Sequence, residues 1–170
     1  MDALKKNLRQ EHVLIHEFLS TFYGMFLFQF SCTCNMYQNM LANKLLRQHI
    51  QSVKVHWNGK RSAEAFAYLQ KCIKLRNLAI TVSRATTQNL TERETMMNDN
   101  FAYSKRDRLS EALGIDELIE LRGLHSVKVL HISARQGMRR SEEERANLQK
   151  FLEKNLLEPR DLEPEGSDED

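Results

Sequence analysis

Two histidines near the N-terminus have a spacing that could support metal chemistry. His12 and His16 are four residues apart, which places two potential ligands on one face of a helix. Glu11 and Glu17 stand beside them, but not in the H-E-x-x-H arrangement, and a catalytic zinc site needs three protein ligands. The segment is therefore interpreted as an ordinary amphipathic helix, and neither a metal nor another cofactor is expected.

Histidines and cysteines further along the chain are the remaining candidates for catalysis. His56 and His131 fall on separate predicted strands and could face one groove. No nucleophile elbow accompanies them, and neither glycine-rich phosphate motif occurs. Cys32, Cys34 and Cys72 form no C-x-x-C pair and are interpreted as free thiols, with Cys72 in a packing role. The sequence therefore predicts a protein that is not an enzyme.

Charge is divided unevenly between a basic body and an acidic end. The formal net charge is +2, but residues 160–170 hold six acidic residues against one arginine. A basic body could bind nucleic acid. Its basic clusters, at 60–61, 105–108 and 139–140, lack the interleaved aromatic residues of a base-stacking platform. Nucleic-acid binding is therefore kept as the alternative function. Residues 160–170 contain few apolar groups and are predicted to form a disordered acidic tail.

The elements that would position these residues are indicated by a repeat. The pattern apolar-x-x-apolar-x-apolar-x-apolar occurs three times at intervals of 25 residues, and a shorter copy begins 49 residues after the third. Such alternation predicts short strands with one buried face. A period in this range is typical of leucine-rich repeats, with one strand and one helix per unit. The copies are Met25, Phe28, Phe30 and Cys32; Ile50, Val53, Val55 and Trp57; Leu75, Leu78, Ile80 and Val82; and Leu124, Val127 and Val129.

The predicted fold class is α/β, with a short, mainly parallel four-stranded sheet of leucine-rich-repeat-like strand-helix units. Helices cover one face of the sheet, and residues 1–159 form a single domain. A helix is also predicted over 34–47, and Gly24 is expected to break any helix that reaches it. The other predicted elements are an N-terminal helix at 2–21, strands near 26–31, 52–57, 76–83 and 126–132, an insertion at 84–123 and a final helix at 141–157.

A membrane span has to be considered because residues 18–34 are largely apolar. The run contains 17 residues, against the roughly 20 that a bilayer requires, and six of them are polar or glycine. Phe26, Phe28 and Phe30 alternate, which favours a buried strand. We therefore expect no membrane association, and the absence of a secretory signal at the N-terminus predicts a cytoplasmic or nuclear protein.

Three blocks of sequence carry a resemblance to a known group of proteins. They are Phe22-Tyr23-Gly24 with Phe28 and Phe30, the run RQHI-x-x-VKVHW at 47–57, and the run ATT-x-NLTERE at 85–94. On these blocks the chain, over roughly residues 8–157, resembles uncharacterised fungal proteins with an F-box-like N-terminal helix pair and repeat-like α/β units. The resemblance implies no catalytic residue or cofactor. The Leu-Pro start of an F-box is absent here, so a ubiquitin-ligase role is not expected.

Alternation along the predicted strands assigns a second set of side chains to the face away from the helices. In a repeat stack this face is commonly the binding surface, and two lysines at equivalent positions favour an acidic partner. The sequence therefore predicts a protein-protein interaction module. Either the acidic tail or the residues at 88–108 could instead cover the face. The predicted partner-binding residues are Lys54, His56, Asn77, Thr81, Lys128 and Leu130, with Ala79 between them.

Overall fold

The computed structural model describes residues 2–83, 85–86, 109, 112–131 and 138–159, and for residues 2–12, 16 and 138–141 it describes the backbone alone. Helices and strands alternate through these ranges. In chain order they are α1 (Asp2–Met25), β1 (Leu27–Phe30), α2 (Thr33–Ala42), α3 (Lys44–His49), β2 (Ser52–His56), α4 (Ser62–Gln70), β3 (Asn77–Val82), α5 (Ile115–Ile119), β4 (Ser126–His131) and α6 (Met138–Leu156).

The four strands form one parallel sheet in the order β1-β2-β3-β4. The period of the sequence is the register of the sheet. Phe28 pairs with Val53, and Val53 pairs with Leu78, each 25 residues further along the chain. Leu78 pairs with Val127, 49 residues on. Equivalent repeat positions therefore lie side by side, and the predicted α/β class with a parallel sheet is confirmed.

One face of this sheet is buried and the other is not. Val53 and Val55 are fully buried, whereas the residues between and beside them in β2 are half-buried. The same alternation occurs in β3 and β4. The buried side chains form a single core with apolar residues of α2, α4 and α6. Parallel strands in sequential order, joined by crossovers of one hand, place their connecting helices on the same face.

Helix α6 also completes the sheet edge at β4. Gln149 accepts a hydrogen bond from the backbone N–H of Val129 and donates through Nε2 to the carbonyl of Val127 at 2.7 Å. Arg145 donates to the carbonyl of Val129 at 3.1 Å. An edge strand otherwise presents such backbone groups to another chain. Side chains of α6 therefore satisfy this edge from within the molecule.

Trp57 lies at the centre of the core, directly after β2. It is 1% exposed and packs edge-on against Phe66 of α4, with ring centroids 5.5 Å apart. Its Nε1–H donates to the carbonyl of Leu113 at 2.9 Å. The residues after Leu113 belong to the core, since Ile115 and Leu118 of α5 are buried. The described end of the predicted insertion at 84–123 is therefore an integral part of the domain.

Side-chain hydrogen bonds join Thr33, at the start of α2, to the turn after β2. The Thr33 hydroxyl donates to the carbonyl of Asn58 and lies 3.0 Å from Ser62 Oγ, which donates to the carbonyl of Gly59 at 2.9 Å. Gly59 has a φ of 108°, which favours glycine. A Cβ at this position would also come within 2.8 Å of Cys34 Sγ.

Several element boundaries differ from the predictions at the N-terminal half of the chain. Helix α1 continues through Gly24 to Met25, because tertiary packing outweighs the modest propensity cost of one glycine. Cys32 leaves the buried strand face and caps α2, where its Sγ accepts from the N–H of Asn35 at 3.2 Å. Strand β1 consequently ends at Phe30.

The helix predicted over 34–47 is two helices separated by Asn43. The backbone N–H of Asn43 donates to the carbonyl of Asn39, and its side chain accepts from the N–H of Leu46 at 2.9 Å. One asparagine therefore ends α2 and starts α3, as its preference for capping positions allows. Helix α6 starts at Met138, so Ser141 lies inside the helix and does not cap it. The predicted tail at 160–170 lies outside the described residues.

Trp57→Ala should lower the free energy of unfolding by about 3–5 kcal/mol, because it leaves a cavity in a fully packed site and removes the bond to Leu113. Urea denaturation followed by circular dichroism measures this change. Ile73→Ala is the control, since Ile73 is 72% exposed and its truncation should cost about 0.5 kcal/mol or less. Equal costs for the two variants would contradict the burial of Trp57.

Candidate partner-binding face

The side chains that point away from the helices form a continuous surface, the open face. Parallel register aligns them in rows that cross the sheet from strand to strand. The first row is Leu27, Ser52, Asn77 and Ser126; the second is Gln29, Lys54, Ala79 and Lys128; the third is His56, Thr81 and Leu130.

The first row is a hydrogen-bonded ladder across three strands. Asn77 Nδ2 donates to Ser52 Oγ at 3.0 Å, and Ser126 Oγ donates to Asn77 Oδ1 at 3.0 Å. The two bonds link the side chains of three neighbouring strands at this end of the open face.

The second row carries the charge of the open face. Lys54 and Lys128 flank Ala79 on its two neighbouring strands. At about 4.8 Å between strands, their backbones lie roughly 10 Å apart. None of the four described strands contains Asp or Glu. The open face is therefore positive, with a small residue at its centre that permits close approach.

The third row is anchored by His56. Its Nε2 lies 2.8 Å from Ser83 Oγ, and its Nδ1 lies 3.5 Å from Asn58 Nδ2. Burial lowers the pKa of His56 below the ordinary value of 6.5, because desolvation disfavours the charged imidazolium. His56 is consequently a neutral hydrogen-bonding group at neutral pH, and Thr81 separates it from the more exposed Leu130 on the edge strand.

The six predicted partner-binding residues all lie on the open face. Asn77, Lys128 and Leu130 are exposed, whereas Lys54, His56 and Thr81 are half-buried. The serines of the ladder, Ser52 and Ser126, were absent from that prediction. The repeated tetrapeptide SVKV at 52–55 and 126–129 was the sequence signal that could have included them, since it places a serine two residues before each lysine. The lid predicted at 88–108 lies outside the described residues.

The two histidines proposed to share a groove do not meet. His56 follows Lys54 on the open face, whereas His131 alternates with Leu130 and follows Val129 toward the helix side. His131 lies two residues after buried Val129, so the two side chains point to the same side of the sheet. The prediction that both histidines could face one groove is therefore wrong. Among the described residues, no three His, Cys, Asp or Glu side chains are grouped to hold a metal ion. The side chains of His12 and His16 lie outside the described residues.

Another polar cluster holds α1 on the domain, and sequence reasoning missed it. Lys74 Nζ donates to Ser20 Oγ at 3.0 Å and lies 3.4 Å from Nδ1 of His49, which is buried. Tyr23 stacks on the His49 ring with centroids 6.2 Å apart. The three contacting segments are more than twenty residues apart in sequence, so no local motif marks them. The cluster joins α1 to α3 and to the segment before β3.

Comparison of the chain with protein-family models, with curated proteins and with solved structures finds no match. Within the described ranges, no helix combines the length and apolar character needed to cross a bilayer. Function is therefore inferred from the geometry of the open face.

The pKa of His56 predicts how stability depends on pH. Below pH 6.5 the unfolded chain binds a proton at this residue more readily than the folded chain, so stability falls as pH decreases through 6.5 toward the lower folded pKa. His56→Gln should reduce the difference in melting temperature between neutral pH and a pH well below 6.5. Asn77→Ala, on the same face but without a titratable group, should keep it. An unchanged difference in His56→Gln would refute the lowered pKa.

Proposed function

We propose that this protein is a non-enzymatic protein-protein interaction module that binds an acidic partner on its open face. The proposal rests on the observation that Lys54 and Lys128 lie in one row of a sheet face, and that the four strands of this sheet contain no acidic residue. Helices fill the opposite face of the sheet, so the open face is the surface on which the repeat positions are displayed.

The strand-helix units are, in this proposal, leucine-rich-repeat-like. The 25-residue spacing of the apolar pattern equals the pairing offset of β1 with β2 and of β2 with β3, as stacked repeats require. Successive units present equivalent side chains at equivalent positions on the open face. The resemblance to fungal F-box-like proteins stays a prediction and supplies no partner.

The partner best suited to the open face is an extended segment with spaced carboxylates. Same-face side chains of an extended chain lie about 7 Å apart at alternate residues and about 13 Å apart at every fourth residue. Two lysines with backbones roughly 10 Å apart reach either spacing, because the lysine side chain is long and flexible. Thr81 and Ser52 add hydroxyl groups able to donate to carboxylate oxygens, since Ser52 acts only as an acceptor in the ladder. Cys32 and Cys34 carry free thiols, which fits the cytoplasm or nucleus as the place of action.

Charge reversal tests the proposal. Lys54→Glu combined with Lys128→Glu should abolish recovery of specific partners by the immobilised chain, because it places two carboxylates opposite an acidic ligand. Lys60→Glu combined with Lys150→Glu makes the same change in net charge at exposed sites outside the open face, and should retain them. Circular dichroism confirms that both variants are folded. Partner recovery that is the same for both variants would place the binding surface elsewhere.

Nucleic-acid binding would give a different result in a salt titration. If labelled duplex DNA binds through two lysines, the logarithm of its binding constant should fall with the logarithm of salt concentration with a slope of about −1.8, because each phosphate contact contributes roughly −0.9. Labelled RNA is titrated in the same way. We expect weak binding that Lys60→Glu with Lys150→Glu reduces as much as Lys54→Glu with Lys128→Glu. Tight binding with a steep slope, lost only in the open-face variant, would favour a nucleic-acid-binding function.

A further inference from the structure

The outward side of α1 is apolar over its described C-terminal half. We call Leu14, Ile15, Phe18, Phe22 and Met25 the apolar stripe; their exposed fractions range from 42% to 76%. At 100° per residue the five lie within about one third of the helix circumference. Phe26 and Leu27 extend the apolar surface to the first strand, with exposed fractions of 51% and 56%.

The opposite side of α1 is the side that packs on the domain. Leu19, Ser20 and Tyr23 are half-buried, and Ser20 and Tyr23 make the contacts with Lys74 and His49. In the structure Leu19 turns toward the domain and Phe22 turns away from it. Tertiary contacts thus fix which side of α1 faces outward.

The exposed area is of the size that an interface needs. With roughly 150–250 Å² for each aromatic side chain, the stripe with Phe26 and Leu27 exposes on the order of 800 Å². The largest apolar patch on a typical monomer is about 300–600 Å². A standard protein-protein interface buries about 800 Å² per partner.

The spacing within the stripe identifies the kind of element that fits it. Ile15, Phe18, Phe22 and Met25 are separated by three, four and three residues. This alternation is the a/d spacing of helices that pack with side chains of one inserted between side chains of the other. Phe22 lies 6.2 Å from Phe18 and 4.8 Å from Phe26, measured between ring centroids, so the aromatic residues already support one another. The stripe is therefore shaped for another helix with the same spacing.

The two edge strands, β4 and β1, differ in how the rest of the chain covers them. At β4, side chains of α6 hydrogen-bond to the backbone of the edge strand. At β1, the apolar residue Leu27 and the neighbouring Gln29 are exposed on the open side of the strand, next to the end of α1. The β4 edge is completed within the molecule, whereas the apolar stripe continues through Phe26 to Leu27 at the start of β1.

We propose that the apolar stripe packs against the same stripe of a second copy of this chain, giving a two-fold symmetric dimer. Each copy carries the same helix with a/d spacing, so a self-complementary contact needs no other partner. Glu17 is the one charged side chain described between 13 and 27, so the stripe itself offers no charge for selecting a different partner. A helix that lies on a membrane surface usually has a basic polar face, whereas the exposed polar side chains described between 13 and 25 are Glu17 and Thr21, neither of which is basic.

The full chain at high micromolar concentration, examined by light scattering during size-exclusion chromatography, should have twice the mass of the 19.9 kDa chain. Phe18→Glu combined with Phe22→Glu should reduce the measured mass by half, because it places charges in the centre of the contact. Both positions are exposed, so the fold should persist, and Trp57 fluorescence checks this. Leu130→Glu, an equally apolar-to-acidic change on the open face, is the matched control and should leave the dimer intact.

Two outcomes would overturn the proposal. One is a monomeric wild-type chain at the same concentration. If that monomer also floats with phosphatidylcholine or phosphatidylserine vesicles, the stripe binds lipid instead of a second copy. The other is a dimer that persists in the folded Phe18→Glu, Phe22→Glu variant, which would place the dimer contact elsewhere. Neither outcome bears on the open face, because the Lys54→Glu, Lys128→Glu variant should remain dimeric.

Discussion

Burial of one face of a parallel sheet is the constraint on which the rest of this structure depends. Val53, Leu78 and Val127 lie side by side because the chain returns to the same register after each strand-helix unit. Their burial requires helices on that face, and Trp57 with Phe66 fills the space between the two layers. Parallel strands need long connections, so the helices that cover the core are also the links between strands.

The same constraint determines the chemistry of the open face. Every side chain adjacent in sequence to a buried strand residue must point the other way, so Lys54 and Lys128 lie in one row by the geometry of the pleat. The ladder through Asn77 and the contact between His56 and Ser83 then hold the surrounding polar groups. The sheet thus carries a positive surface whose lysines have a defined spacing.

Side chains from distant parts of the sequence cover the edge strand β4 and hold α1 in place before β1. At β4, the side chain of Gln149 takes the place of a further strand by bonding Val127 and Val129. Before β1, α1 is held by Lys74 and His49 and leaves Phe18 and Phe22 facing outward. The molecule therefore has two chemically different surfaces, one polar and positive and one apolar.

The sequence by itself determined the parallel α/β sheet and placed six residues on the open face, because the 25-residue period and the alternation of Val53, Lys54 and Val55 are patterns along the chain. Tertiary structure alone decided three other features. Thr33, directly after the capping residue Cys32, bonds Asn58 in the turn after β2, and Leu113 joined the core through Trp57. Helix α1 turned Phe18 and Phe22 outward because Lys74 and His49 hold its other side. Each contact joins residues more than twenty positions apart, and local spacing carries no information about which distant groups will meet.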